Sequence, residues 1–203
     1  MWALVESNSV SKIYARPTAL QLGDIQYPQN IFNLWTEAEL KAIGIYEITV
    51  DNTNLKDKKY YTNTDVTYTY NSSPDTVTGA YGTATAKLLA DVLFTADDES
   101  NGLGTEGEIK SYGLKPRCKE KINKQAYSRL QDSDGLVVRA AEGGTAVPSD
   151  WSTYRAAVRT KANDMETLVD NAADVDALAA LYVYNTDDPP VRPLGEFPNK
   201  PTC

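Results

Sequence analysis

The segment of this 203-residue chain best suited to chemistry is acidic and rich in glycine. Within residues 97–108, Asp97, Asn101, Gly102 and Glu108 occupy positions of an EF-hand calcium loop. Glu99 stands where Asp or Asn is usual, and the chain has no second loop to pair with the first. The segment is therefore either a calcium site with Asp97, Asn101 and Glu108 as ligands or an acidic surface loop, and the departures favour the surface loop.

The chain contains no histidine, which removes the commonest catalytic base. No Ser-His-Asp or Cys-His arrangement is possible, and Cys118 and Cys203 alone cannot complete a four-ligand zinc site. Cys118 falls on an apolar stripe, where we expect an inert core thiol. The sequence thus predicts a protein that is not an enzyme and has no cofactor and no small-molecule substrate.

Composition and charge exclude several classes of partner. Hydrophobic residues make up 41% of the chain and charged residues 24%, so we expect a folded core. The net charge of −8 argues against binding nucleic acid or an anionic membrane. Met1–Glu6 has no basic start typical of a secretory signal, and no apolar run approaches the roughly 18 residues that span a bilayer. We expect a soluble protein with free thiols, made in a reducing cytoplasm.

Short alternating segments predict an antiparallel, β-rich domain over residues 1–96. Residues 2–5 and 12–14 suit a hairpin turned at Asn8, and residues 20–25 and 45–50 alternate as strands.

One short helix interrupts these strands. Thr36 and Glu39 have the spacing of a capping box, with Trp35 and Leu40 placed as a hydrophobic staple. Gly44 stands where a left-handed residue ends a helix.

Many of the 13 tyrosines lie between residues 60 and 81, alternating with threonines. We expect residues 60–70 to form one extended strand that pairs with residues 76–85. Tyr68 and Tyr70 then belong either to a surface that binds another protein or to the domain's own core.

The chain becomes helical from about residue 116 to 187, after a linker over residues 97–115. An apolar stripe recurs every four residues at Cys118, Ile122, Ala126 and Leu130. We expect Asp132–Gly135 to end that helix.

A second helix, capped by Ser149 or Asp150, carries a longer stripe that includes Trp151 and Tyr154 as core residues. Arg155 and Arg159 lie one turn apart beside this stripe. They are expected either on a solvated basic edge or paired with acids of a neighbouring chain. Asp174 is placed to start a further short helix.

Residues 188–203 hold five of the ten prolines and predict an extended tail. Such a tail is usually disordered unless something holds it, and neighbouring subunits are the simplest candidate.

The C-terminal half resembles proteins of tailed bacteriophages. The resemblance rests on Lys121–Asp134, on the helix start P-x-D-W-x-x-Y-R-x-x-V-R at Pro148–Arg159, and on Arg192–Pro198. The order of strands and helix in Trp2–Val50 is similar to that of small phage proteins found beside tail genes.

The resemblance implies a structural component of a virion, in the tail, baseplate or fibre attachment or as a capsid decoration. The alternative is a tail or tail-fibre assembly chaperone, absent from the mature particle. Partners would be other phage structural proteins and copies of this chain, made in the host cytoplasm. Candidate interaction residues are Tyr68, Tyr70, Arg155, Arg159, Arg192 and Phe197.

Overall fold

The computed structural model describes residues 1–201, and the chain divides into two compact units after Thr85. Helices and strands are both present, as the predicted α+β class requires. The predicted boundary lay after residue 96, whereas the second compact unit begins at Ala86. The cysteine at position 203 lies outside the described residues.

The first unit is built on a five-stranded mixed sheet in the order β2-β1-β5-β8-β7. Only the β5–β8 pair is parallel. Its elements are β1 (Trp2–Glu6), β2 (Ser9–Tyr14), β3 (Leu20–Leu22), β4 (Ile25–Tyr27), α1 (Ile31–Leu34), α2 (Glu37–Ala42), β5 (Ile45–Asp51), β6 (Tyr61–Thr62), β7 (Val66–Ser72) and β8 (Asp75–Tyr81).

Some of the predicted strands form as expected, and others are divided into two. The β1–β2 hairpin forms as expected, turned at Ser7 and Asn8, which both adopt positive φ. Residues 20–25 were expected as one strand, but Gly23 at φ +59° reverses the chain and creates the β3–β4 hairpin. The long strand expected over residues 60–70 is likewise divided, into β6 and β7.

Both faces of the sheet are covered by apolar residues. On one face, Leu4 and its cross-strand partner Ile45 pack with Phe32 of α1 and Leu40 of α2. The other face gathers Ala3, Tyr46, Ile48 and Val77, with Tyr68 and Tyr70 packed against them. Because side chains alternate along a strand, neighbours in sequence serve different cores.

The predicted capping box is present at the start of α2. The Glu39 amide donates to Thr36 Oγ1 at 3.3 Å, and the Thr36 amide donates to Glu39 Oε2 at 2.8 Å. Gly44 follows the helix at φ +80°, with its amide bonded to the Lys41 carbonyl.

The second unit is mainly helical. It contains β10 (Val92–Leu93), α3 (Ala96–Ser100), β11 (Ile109–Ser111), α4 (Leu114–Gln131), α5 (Asp134–Ala141), α6 (Ser149–Asn171) and α7 (Val175–Ala180), and β9 (Thr85–Ala86) lies at the junction. The segment expected as a linker over residues 97–115 therefore holds most of α3, all of β11 and the start of α4.

Helices α4 and α6 pack as an antiparallel hairpin. The stripe through Cys118, Ile122 and Ala126 is buried, as predicted, and faces the buried residues of α6. On one side of the hairpin, Lys119 pairs with Asp170 at 3.0 Å and Asn123 donates to Glu166 at 2.6 Å.

Two helix boundaries differ from the sequence-based expectation. Helix α4 ends at Gln131 with Asp132 as its C-cap, as expected, but a further helix, α5, starts already at Asp134. Helix α6 is capped by Pro148, and neither Ser149 nor Asp150 is its N-cap. Asp174 does cap α7, accepting a 2.7 Å hydrogen bond from the Ala177 amide.

Candidate interaction surfaces

Tyr68 and Tyr70 lie on β7 and contribute to the packing of their own unit. Tyr68 pairs with Gly79 across the ladder, and its ring occupies the space that a Cβ on Gly79 would need, with a closest approach of 2.9 Å. Both tyrosines are only half-buried. Of the two alternatives for these residues, packing within the domain is the one the contacts support.

Tyr70 also joins a polar cluster at the end of the sheet. Its hydroxyl donates to Asp75 Oδ1 at 2.8 Å, and its ring meets that of Tyr46 edge-on at 5.3 Å. Lys41 donates to the Asp75 carbonyl and pairs with Glu37 at 2.8 Å. The hydrogen bond to Asp75 raises the pKa of Tyr70. The cluster ties α2 to the β7–β8 turn.

Arg155 is buried, contrary to its expected place on a solvated edge. Its Nη1 donates to the Leu130 carbonyl at 2.8 Å, to Ser133 Oγ at 2.6 Å and to Asp134 Oδ1 at 2.8 Å. These acceptors lie where α4 ends and α5 begins. Arg155 therefore fastens α6 to that junction and is not available to a neighbouring chain.

Arg159 and Arg192 differ in what they contact. Arg159, one turn beyond Arg155, is exposed. Arg192 is held inside its own unit, with Nε 2.7 Å from Glu196 Oε1 and its guanidinium 5.3 Å from the centre of the Tyr184 ring. Tyr184 donates to the same carboxylate, which raises the pKa of its hydroxyl.

The proline-rich segment packs on the helices of its own unit. Leu194 and Phe197 are buried, and the Arg129 guanidinium lies 5.1 Å from the centre of the Phe197 ring. The Leu194 amide donates to the Leu181 carbonyl, and Lys200 pairs with Asp132 at 2.8 Å. Phe197 is thus a core residue, and the order of this segment does not require neighbouring subunits.

Trp151 was predicted to be a core residue of α6, and it is only half-buried. Its ring meets Tyr154 edge-on at 5.8 Å, and the Lys200 ammonium lies 5.4 Å from the ring centre.

The candidate calcium loop has a different local structure from an EF-hand. Asp97 lies within α3, and its carbonyl accepts the Asn101 side-chain amide at 2.7 Å. Thr95 is the N-cap of this helix, and Asp98 accepts a hydrogen bond from the Thr95 amide and pairs with Lys110 at 2.7 Å. Within residues 1–201 there is no cluster of three or more His, Cys, Asp or Glu that could hold a metal ion.

The segment from residue 86 to 112 exposes apolar side chains, which the sequence did not lead us to expect. None of its side chains is buried, although it has defined strands, a capped helix and ion pairs. Leu93 and Ile109 are cross-strand partners on β10 and β11, and they are 48% and 42% exposed. Leu103 and Tyr112 are also exposed. The only signal in the sequence was the presence of large apolar residues in a segment otherwise typical of a loop.

Comparison with protein-family models, with curated proteins and with solved structures found no match. In the described part of the chain, no helix has the length and apolar character needed to cross a membrane.

Proposed function

We propose that this chain is a non-enzymatic structural component of a tailed-phage particle, acting through protein–protein contacts in the tail, baseplate or fibre attachment. The sequence resemblance over Pro148–Arg159 and Arg192–Pro198 supplies the class of protein. Capsid decoration is the remaining position within the particle that the same resemblance allows.

Exposed apolar side chains in the second unit carry the proposal. A contiguous patch of large apolar residues on a folded surface is a common site of contact with another protein. Among them are Leu88, Leu93, Leu103, Ile109 and Tyr112 in one stretch of the chain, and Val183, Tyr184 and Val191 in another. The second group borders a surface hollow of about 490 Å³ lined also by Ala180 and Pro193.

The extended tail, packed on its own unit, counts against the virion component rather than for it. Its order was expected to reflect contacts with neighbouring subunits, whereas Leu194 and Phe197 are held by their own unit. The choice between a virion component and an assembly chaperone therefore rests on a direct test.

The test is quantitative mass spectrometry of purified, infectious particles of the phage that encodes this chain. A fixed copy number per particle supports the proposal, and its value selects the position by symmetry. A chain abundant in infected cells but absent from particles contradicts it and favours the assembly chaperone, with the helical second unit as the client-binding surface.

A further inference from the structure

The segment 86–112 has one closed face and one open face. Phe94 lies so close to Gly104 that a Cβ there would come within 2.5 Å of its ring, and Lys110 lies over the same ring while pairing with Asp98. These contacts close one face. Leu93 and Ile109, adjacent in the ladder, point to the other face and remain exposed.

A two-stranded hairpin that buries no side chain gains little stability from apolar packing. Contact of Leu93 and Ile109 with water is unfavourable in free energy, and a partner that covered them would remove this cost. The segment also carries six acidic and two basic residues, so its partner should be both apolar and basic.

The outward face of α4 has that chemistry. The helix contains six basic residues and one acidic residue in a chain whose net charge is −8. Arg117, Lys121 and Lys124 are exposed, Lys121 at the edge of the buried stripe and Lys124 paired with Glu120 on the same helix. Tyr127 is 64% exposed and borders a hollow of about 620 Å³ together with Pro116.

We propose that the open face of the acidic segment 86–112 docks on the basic outward face of α4 in a second copy of this chain. Leu93 and Ile109 would pack near Tyr127 and Pro116, and Glu106 and Glu108 would face Arg117 and Lys121. Such a contact either forms twice in a two-fold dimer or repeats head-to-tail in a ring or a filament. The inference rests on the proposed function, because a particle component acts through repeated contacts between copies.

The test uses the purified chain and measures its mass in solution by light scattering across a concentration series. We expect oligomers at about 50 mM salt that dissociate near 500 mM salt, since exposed charges are screened at high ionic strength. Arg117→Glu with Lys121→Glu, and separately Glu106→Lys with Glu108→Lys, should each weaken self-association at least tenfold. Combining all four changes in one chain should restore it, because opposite charges again face each other.

The matched control is Lys12→Glu with Arg139→Glu, which changes the net charge equally at exposed positions elsewhere and should leave self-association nearly unchanged. Leu93→Ser with Ile109→Ser should abolish self-association at every salt concentration.

Two results in solution would overturn the proposal. One is a wild-type chain that is monomeric at low salt, and the other is a variant with all four charge changes that stays monomeric. Binding of duplex DNA by the wild-type chain would also overturn the proposal if Arg117→Glu with Lys121→Glu removed it. The exposed face of α4 would then be a nucleic-acid-binding surface. Self-association is measured without particles, so its failure is separate from absence of the chain from virions.

Discussion

Arg155 donates a 2.6 Å hydrogen bond to the hydroxyl of Ser133, a side chain with no solvent exposure. Ser133 in turn donates to the Leu130 carbonyl at 2.9 Å, and Arg155 reaches that carbonyl as well. A single guanidinium thus contacts the polar groups at the break between α4 and α5, and it joins α6 to this break at a point away from the Lys119–Asp170 and Asn123–Glu166 contacts.

Arg155→Met should destabilise the second unit by about 2–3 kcal/mol. The substitution keeps the apolar stem but leaves buried acceptors without their charged donor. Urea unfolding monitored by circular dichroism measures the loss. Arg159→Met, one turn along the same helix and exposed, is the matched control and should change stability by less than about 0.5 kcal/mol. Equal effects of the two substitutions would contradict the burial of Arg155.

Phe197→Ala should cost the second unit about 3 kcal/mol and release the proline-rich segment. The ring is buried and lies against Arg129, so its removal leaves a cavity that the segment can fill only by moving. Limited proteolysis should then cut near residues 198–201 before the helices. Val191→Ala, at an exposed position of the same segment, should cause neither effect. A variant as stable and as resistant as the wild type would show that Phe197 does not hold the segment.

Local signals in the sequence predicted much of the fold. The Thr36–Glu39 capping box depends on residues three apart, and the α4 stripe on a four-residue repeat, so neither needs knowledge of distant contacts. The burial of Arg155 was missed because its acceptors come from another helix, and the spacing of one helix cannot show them. Phe197 was expected to contact a neighbouring subunit because its segment is rich in proline, although an apolar residue in such a segment also suits packing on its own helices.

The interaction surface was harder to predict than the fold. Leu93 and Ile109 are apolar residues in short strands, a pattern that normally indicates core positions. They are exposed because few side chains from the rest of the chain pack against the segment 86–112. A local sequence pattern cannot show how much distant packing a segment receives.

Gly104→Ala should loosen the segment 86–112 without unfolding the helices. The added methyl would come within 2.5 Å of the Phe94 ring, forcing the ring off the closed face. We expect faster exchange of the Phe94 amide, which donates to the Glu108 carbonyl at 2.9 Å, and of the Gly107 amide, which donates to the Phe94 carbonyl at 3.0 Å. Gly135→Ala is the matched control: it lies in α5 with open space around it, and should stabilise the chain by about 0.5 kcal/mol. Unchanged exchange in Gly104→Ala would mean that Phe94 does not close this face.

Acid should open the same segment before the helical hairpin. The hydrogen bonds from the Lys110 ammonium and from the Thr95 amide lower the pKa of Asp98 below that of an unfolded aspartate. A lowered pKa in the folded state stabilises the segment above the ordinary value of about 3.9, and this stabilisation is lost as the pH falls through the folded-state pKa. Amide protection at Thr95 and Asp98 should therefore fall as the pH drops below about 4, while protection of Ala126 in α4 persists. Asp98→Asn should remove most of this pH dependence, and a segment that loses protection equally in the variant and the wild type would assign the transition to other carboxylates.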